Sequence, residues 1–187
     1  MAHRTISDEA FFDKALDLFR TYGVEGVSLQ QLAEATGLEK ASLYYRYPGG
    51  KEEIVLAVAQ GVVAWLQQNV VEPLAGDQPA RKRIAIVAEH LRTFYGGGKK
   101  SCVTEMLSIP GGPEALKAGL RGAMQAWIKA FADVARESGL SPAAARARAE
   151  EAVIRIEGSL IVARVLGDIA PFERTIKLLP DLLTANA

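Results

Sequence analysis

Between Val27 and Gly50 the chain is punctuated so densely that only two short helices fit. The run "VSLQQL" places Ser28 at an N-cap and Gln31 at N3, the reciprocal pair of a capping box, with Val27 and Leu32 at the two positions of a hydrophobic staple. Gly37 ends this helix after about two and a half turns. A second helix, from Lys40 to about Tyr45, is closed by Pro48-Gly49-Gly50. Helices this short are unstable alone and must lean on each other and on neighbours. Two of them across a glycine turn read as a helix-turn-helix, with Leu32 and Ala33 packing against Leu43 across the angle.

The rest of the chain is also helical, and no run alternates with period two. The expected class is all-α, about nine helices, divided into an N-terminal three-helix unit (1–50) and a C-terminal bundle (51–187). The first helix spans Asp8 to Tyr22, capped by Ser7 and stopped by Gly23. A fourth, from Lys51 to about Val71, is apolar nearly all round from Ile54 to Leu66 and is expected to stop at Pro73. Later helices follow Pro79, span Glu114 to Ser138, start at Ser141-Pro142 and end near Gly167, and begin at Pro171 with an interruption at Pro180. "GGGKKS" at Gly96 to Ser101 fails the phosphate-loop spacing and reads as a plain loop.

Composition narrows the function. Apolar residues make up 49% of 187, which excludes a disordered chain, and 22 basic residues balance 22 acidic ones, so bulk charge names no partner. One cysteine, Cys102, fits a reducing compartment, and neither a signal peptide nor a bilayer span is expected, which makes the cytoplasm the default location. Two histidines, His3 and His90, supply neither a metal cluster nor a catalytic pair, so no enzyme, metal or cofactor is expected.

The segment from Glu39 to Lys51 carries +2 charge (Lys40, Arg46 and Lys51 against Glu39), although residues 1–52 sum to −2 (six basic, eight acidic). Leu43 must face inward, which leaves Lys40, Ala41, Ser42, Tyr44, Tyr45 and Arg46 outward, a composition suited to phosphates and base edges. Lys51 falls in the first turn of the fourth helix, where the dipole favours an anion. The alternative is a tyrosine-rich cap over the core, in an all-helical adaptor that binds only protein or small molecules. The eighth helix changes character at "IEGSLIVARVL", with Ile154, Gly158, Ile161 and Val165 on a second apolar face. The ninth helix, with Phe172, Ile176 and Leu179, either covers that face or joins it in a two-fold interface; the second arrangement is the expected one.

The motif "SLQQLAEATGLEKASLYYRYPGGKEEI" resembles the DNA-binding domain of the TetR/AcrR family of transcriptional regulators, and "IEGSLIVARVLGDIAPFERTIKLLP" is similar to the LmrA/YxaF-like branch. The resemblance implies a homodimer on a palindromic double-stranded DNA operator, released when a small effector enters the C-terminal bundle. It places Ser28, Gln30, Tyr44 and Lys51 on phosphates, Lys40, Ala41 and Ser42 on bases, and Tyr45 at the sugar-phosphate or a base edge. Glu39, where Ser or Thr is commoner, should cap its helix poorly, and Arg46-Tyr47 replaces His-Phe. An effector pocket would draw on Trp65, His90, Phe94, Cys102, Met106, Trp127 and Phe131, an apolar lining suited to a hydrophobic or aromatic molecule.

Overall fold

The computed structural model describes residues 6–107 and 114–184, leaving aside the side chains of 105 and 106. Among them there is no strand. The helices are α1 (Asp8–Gly26), α2 (Leu29–Thr36), α3 (Lys40–Arg46), α4 (Gly50–Leu74), α5 (Ala80–Phe94), α6 (Val103–Leu107), α7 (Glu114–Glu137), α8 (Pro142–Leu166) and α9 (Ala170–Thr184). They form two compact units: residues up to Val63 with Val103–Leu120, and Ala64–Cys102 with the chain from Arg121 onward. The first unit reaches past the boundary at residue 50 because the start of α4 belongs to its core, with Ile54, Val55, Val58 and Val62 all buried.

In the first unit, Ser7 caps α1 by accepting the Ala10 N–H, and helical geometry breaks at Gly23 (φ 72°, ψ 165°), where glycine alone is at ease. Phe11, Ala15, Leu16 and Phe19 form the buried face of α1. Phe12 lies directly on the α4 backbone at Gly61, where an added Cβ would fall 2.4 Å from its ring. The capping box of α2 is complete: the Ser28 N–H donates to Gln31 Oε1 (2.8 Å) and the Gln31 N–H to Ser28 Oγ (3.2 Å). Val27 and Leu32 of the staple are both buried, and Gly37 closes α2 in the left-handed conformation.

The second unit packs α5 and α8 against α9 around Leu91, Trp127, Phe131, Ile156 and Phe172. The alternation of charge and alanine early in α8 resolves cleanly: Ala145, Ala149 and Ala152 are buried, while Arg146–Glu150 and Arg155–Glu151 pair along the outside. The "GGGKK" loop is a tight turn in which Gly98 (φ 91°) sits against Phe172, whose Cβ is 2.9 Å from where a Gly98 side chain would begin.

Two expected helix ends are not ends. α4 continues through Pro73 to Leu74 by way of a wider π turn at Gln67–Val71. Proline at 73 has no N–H to give the Asn69 carbonyl four residues earlier and would crowd it in a regular α-helix. That carbonyl instead accepts a hydrogen bond from His90 Nδ1 on α5 at 2.8 Å. α9 likewise runs past Pro180 to Thr184, held by the burial of Leu182 and Leu183 beyond the proline. α4 is the one helix among the described residues long and apolar enough to cross a bilayer. Its Ile54, Val58 and Val62, and further along Val70 and Leu74, are buried in protein.

Candidate nucleic-acid interface

α3 has seven residues and only Leu43 among them is buried. Its N-cap, Glu39, makes no side-chain capping bond, as its side chain is one methylene longer than that of Asp and fits the local capping geometry poorly. The helix is therefore held by its neighbours rather than by its own ends. This arrangement leaves a free face: Lys40 and Ala41 are exposed, Ser42 is half-buried, Tyr44 is 53% exposed and Tyr45 91% exposed. Two tyrosines so bare on a short helix are uneconomical in water, whereas each offers a ring to a sugar and a hydroxyl to a phosphate.

The flanking groups are already engaged within the chain. Ser28 is exposed at the start of α2 with its hydroxyl in the capping box, and Gln30 donates to Glu34 Oε1 at 2.6 Å. Lys51 differs from the sequence expectation: its Nζ donates to the Val24 carbonyl (3.2 Å) and lies 3.6 Å from Glu25, so it neutralises the end of α1. The expected anion site at the start of α4 is likewise filled from within, since the Gly49 N–H donates to Glu53 Oε2 at 2.7 Å. A glutamate four residues after that glycine is the sequence signal for this, and it was legible in "GGKEE".

Arg46 needs the larger correction. It does not face outward with Lys40 and Tyr45. Its guanidinium pairs with Asp8, donates to the Ile6 carbonyl (3.3 Å), and sits 4.9 Å from the Phe11 ring centre and 5.6 Å from that of Tyr47. The two rings are 5.0 Å apart. Beside this cluster an open groove of about 520 Å³ runs past Phe12, Ala57 and Gly61.

The residues expected to line an effector pocket divide. Cys102, Trp127 and Phe131 are buried among core side chains. His90 is half-buried and bonded to the Asn69 carbonyl that proline leaves unpaired, a structural role. Trp65 and Phe94 are half-buried and stacked with ring centres 3.9 Å apart. The side chain of Met106 lies outside the described residues. Trp127 carries a further signal: its Nε1–H is buried with no hydrogen-bond partner among the described residues.

The expected partner surface divides in the same way. Ile154 (70% exposed), Ile161 and Val165 (77% exposed) stand bare on α8, and Gly158 has open space before it. Phe172, Ile176 and Leu179 do not belong to that face. All three are buried between α9 and the rest of its own unit, because the amphipathic stripe of α9 turns inward. The bare surface instead extends to Val162, Leu166, Ile169 and Leu178. Among the described residues no group of His, Cys, Asp and Glu could hold a metal.

Comparison with known proteins matches residues 11–58 to the family model "Bacterial regulatory proteins, tetR family" and residues 97–178 to "Transcriptional regulator LmrA/YxaF-like, C-terminal domain". The HTH-type transcriptional regulator LmrA of Bacillus subtilis is 25% identical over 187 residues, covering 95% of this chain and 96% of its own. The regulator RutR of Escherichia coli is 32% identical over 85 residues, 45% of this chain and 37% of RutR. Among solved structures, a TetR regulator from Legionella pneumophila superposes with a TM-score of 0.80 at 20% identity, covering 95% of this chain and 97% of that one. TetR of Rhodobacter sphaeroides superposes with a TM-score of 0.75 at 18% identity, covering 95% and 99%. With a DNA-binding helix-turn-helix in its first unit and an LmrA/YxaF-like C-terminal domain, this chain belongs to the TetR family of transcriptional regulators and not to an enzyme family.

Proposed function

We propose that this chain is a cytoplasmic repressor that binds a palindromic operator as a homodimer and lets go when a small hydrophobic or aromatic effector binds. The observation that carries the reading is the bare face of α3, on which Lys40, Ala41, Tyr44 and Tyr45 stand clear of the protein. Lys40, Ala41 and Ser42 would meet base edges and Tyr45 the groove wall. Tyr44, Ser28 and Gln30 would hold the backbone in register. Arg46 and Lys51 leave this set, because their charges are matched inside the chain.

Two copies would pair through the exposed face of α8 from Ile154 to Leu166, joined by Ile169 and Leu178. With two-fold symmetry the two α3 helices would enter successive major grooves about 34–36 Å apart, so the operator should be an inverted repeat. The effector would bind in the second unit near the Trp65–Phe94 stack, and the unpaired Trp127 N–H favours a molecule bearing a hydrogen-bond acceptor.

The test is selection of bound sequences from random duplex DNA by the purified protein at two salt concentrations. An inverted repeat with a salt-dependent affinity is the expected product. Binding that yields no motif would sink the repressor reading.

A further inference from the structure

We propose that Arg46 is a positioning residue: together with Asp8 it latches the end of the reading helix to the start of α1 and so fixes the angle at which α3 is presented. The inference rests on the reading of α3 as the DNA-contacting helix. α3 is too short to hold its own shape, lacks an N-terminal side-chain cap and is anchored in the core by Leu43 alone. Nothing in that single anchor stops the helix rotating about Leu43.

Arg46 supplies the second fixed point. It lies in the last turn of α3, where a cation suits the helix dipole. Its guanidinium reaches the Asp8 carboxylate and the Ile6 carbonyl at once, while the Phe11 and Tyr47 rings lie 4.9 and 5.6 Å from it. A planar, many-donor cation fits such a site, where lysine would not. The Tyr47 N–H closes on the Leu43 carbonyl at 2.7 Å, and its own carbonyl takes the Gly50 N–H at 2.9 Å, so the backbone after the latch is fixed as well. The Asp8 side chain is 98% exposed, so the pair alone is weak and easily screened. Its strength comes from acting together with the ring contacts.

A latch and a direct phosphate contact predict opposite signs. If Arg46 served DNA directly, Asp8→Asn would free its charge and remove a nearby negative one, and affinity would rise. If Arg46 is a latch, Asp8→Asn loosens α3 and affinity falls. The experiment measures binding of the full-length protein to the inverted repeat it selects and to a random duplex, across salt, for Arg46→Met, Asp8→Asn and the double variant. Glu9→Gln removes a charge from the same turn of α1 without touching the latch and serves as control.

Arg46→Met and Asp8→Asn should each weaken the selected repeat roughly three- to tenfold, with the double variant no worse than the stronger single one. Preference over random duplex should narrow and the salt slope should stay unchanged. In the free protein, amide exchange from Leu43 to Tyr47 should quicken in Arg46→Met while α2 stays protected.

Tighter binding by Asp8→Asn, or a salt slope reduced by about one unit per Arg46, would overturn the latch in favour of direct contact. A loss in Glu9→Gln equal to that in Asp8→Asn would overturn it as a mere charge effect. Unchanged exchange across Leu43–Tyr47 overturns the latch while leaving the DNA reading intact. A wild-type chain that selects no sequence overturns both.

Discussion

If α8 carries the dimer, truncating its exposed apolar side chains should split the dimer without unfolding the chain. Ile154 is 70% exposed and Val165 77% exposed in the single chain. Isoleucine to alanine removes three carbons at about 0.8 kcal/mol each, so Ile154→Ala removes about 1.7 kcal/mol from an interface that covers the exposed fraction. Two-fold symmetry repeats the loss, giving about 3.4 kcal/mol per dimer, or roughly 300-fold in the dimer dissociation constant. The same reasoning gives about 2.5 kcal/mol and roughly 60-fold for Val165→Ala. Sedimentation velocity over a concentration series reads both shifts, and a thermal melt monitors the fold. Ile176→Ala is the contrast: that side chain is buried within its own unit, so the melt should fall by about 2–5 kcal/mol of stability. Gly158→Ala fills open space in the single chain and should raise its stability by up to about 1 kcal/mol. If Ile154→Ala and Val165→Ala each leave the dimer constant within about twofold of wild type, far short of the shift each side chain should give, the α8 face is not the interface and the proposed spacing of the two reading helices has no basis.

Three other outcomes follow from the same structure. Tyr44→Ala should weaken binding evenly across DNA sequences, whereas Lys40→Ala should change which sequences are selected, by about 1–3 kcal/mol at one base position; selection with each variant separates the two roles. His90→Ala deprives the Asn69 carbonyl of its partner next to Pro73 and should cost about 1–2 kcal/mol, lowering the melting temperature by about 2–8 °C, while an unchanged melt would mean that water or backbone already satisfies that carbonyl. Gly98→Ala combines a left-handed φ of 91° with a Cβ 2.9 Å from Phe172, and should cost about 2–4 kcal/mol in a chemical denaturation series.

Much of the fold was legible because its signals are local. Ser28 with Gln31, Gly37 and Gly23 each specify a backbone event within four residues, and each event occurs where those residues put it. The outward face of α3 was legible for a related reason: a seven-residue helix with one inward leucine has few ways to lie. What failed was the placing of Arg46 on that face. Arg46 meets Asp8 across 38 positions of chain, and nothing in the spacing of either residue points to the other. The face of α9 failed for a different reason. Phe172, Ile176 and Leu179 form one stripe whether that stripe meets its own unit or a second copy, so periodicity alone could not choose between the two.

The prolines mark the limit of local reading most clearly. Taken alone, Pro73 ends a helix, because it lacks a donor and crowds the carbonyl four residues back. In the folded chain that rule is obeyed by an exchange of partners rather than by a stop. The ladder widens to a π turn at Gln67–Val71, and His90 from the next helix supplies the hydrogen bond that residue 73 cannot give. The sequence places His90 among effector contacts because its helix is one of those expected to line a pocket. Its partner was invisible, since the need for a donor arises only once α4 continues through a proline. The proposed effector needs side chains that the core has not already filled. Aromatic side chains whose contacts are complete within the core, such as Phe131, are poor candidates for it. The groups worth testing are the half-buried Trp65–Phe94 stack and the Trp127 N–H, which has no partner among the described residues.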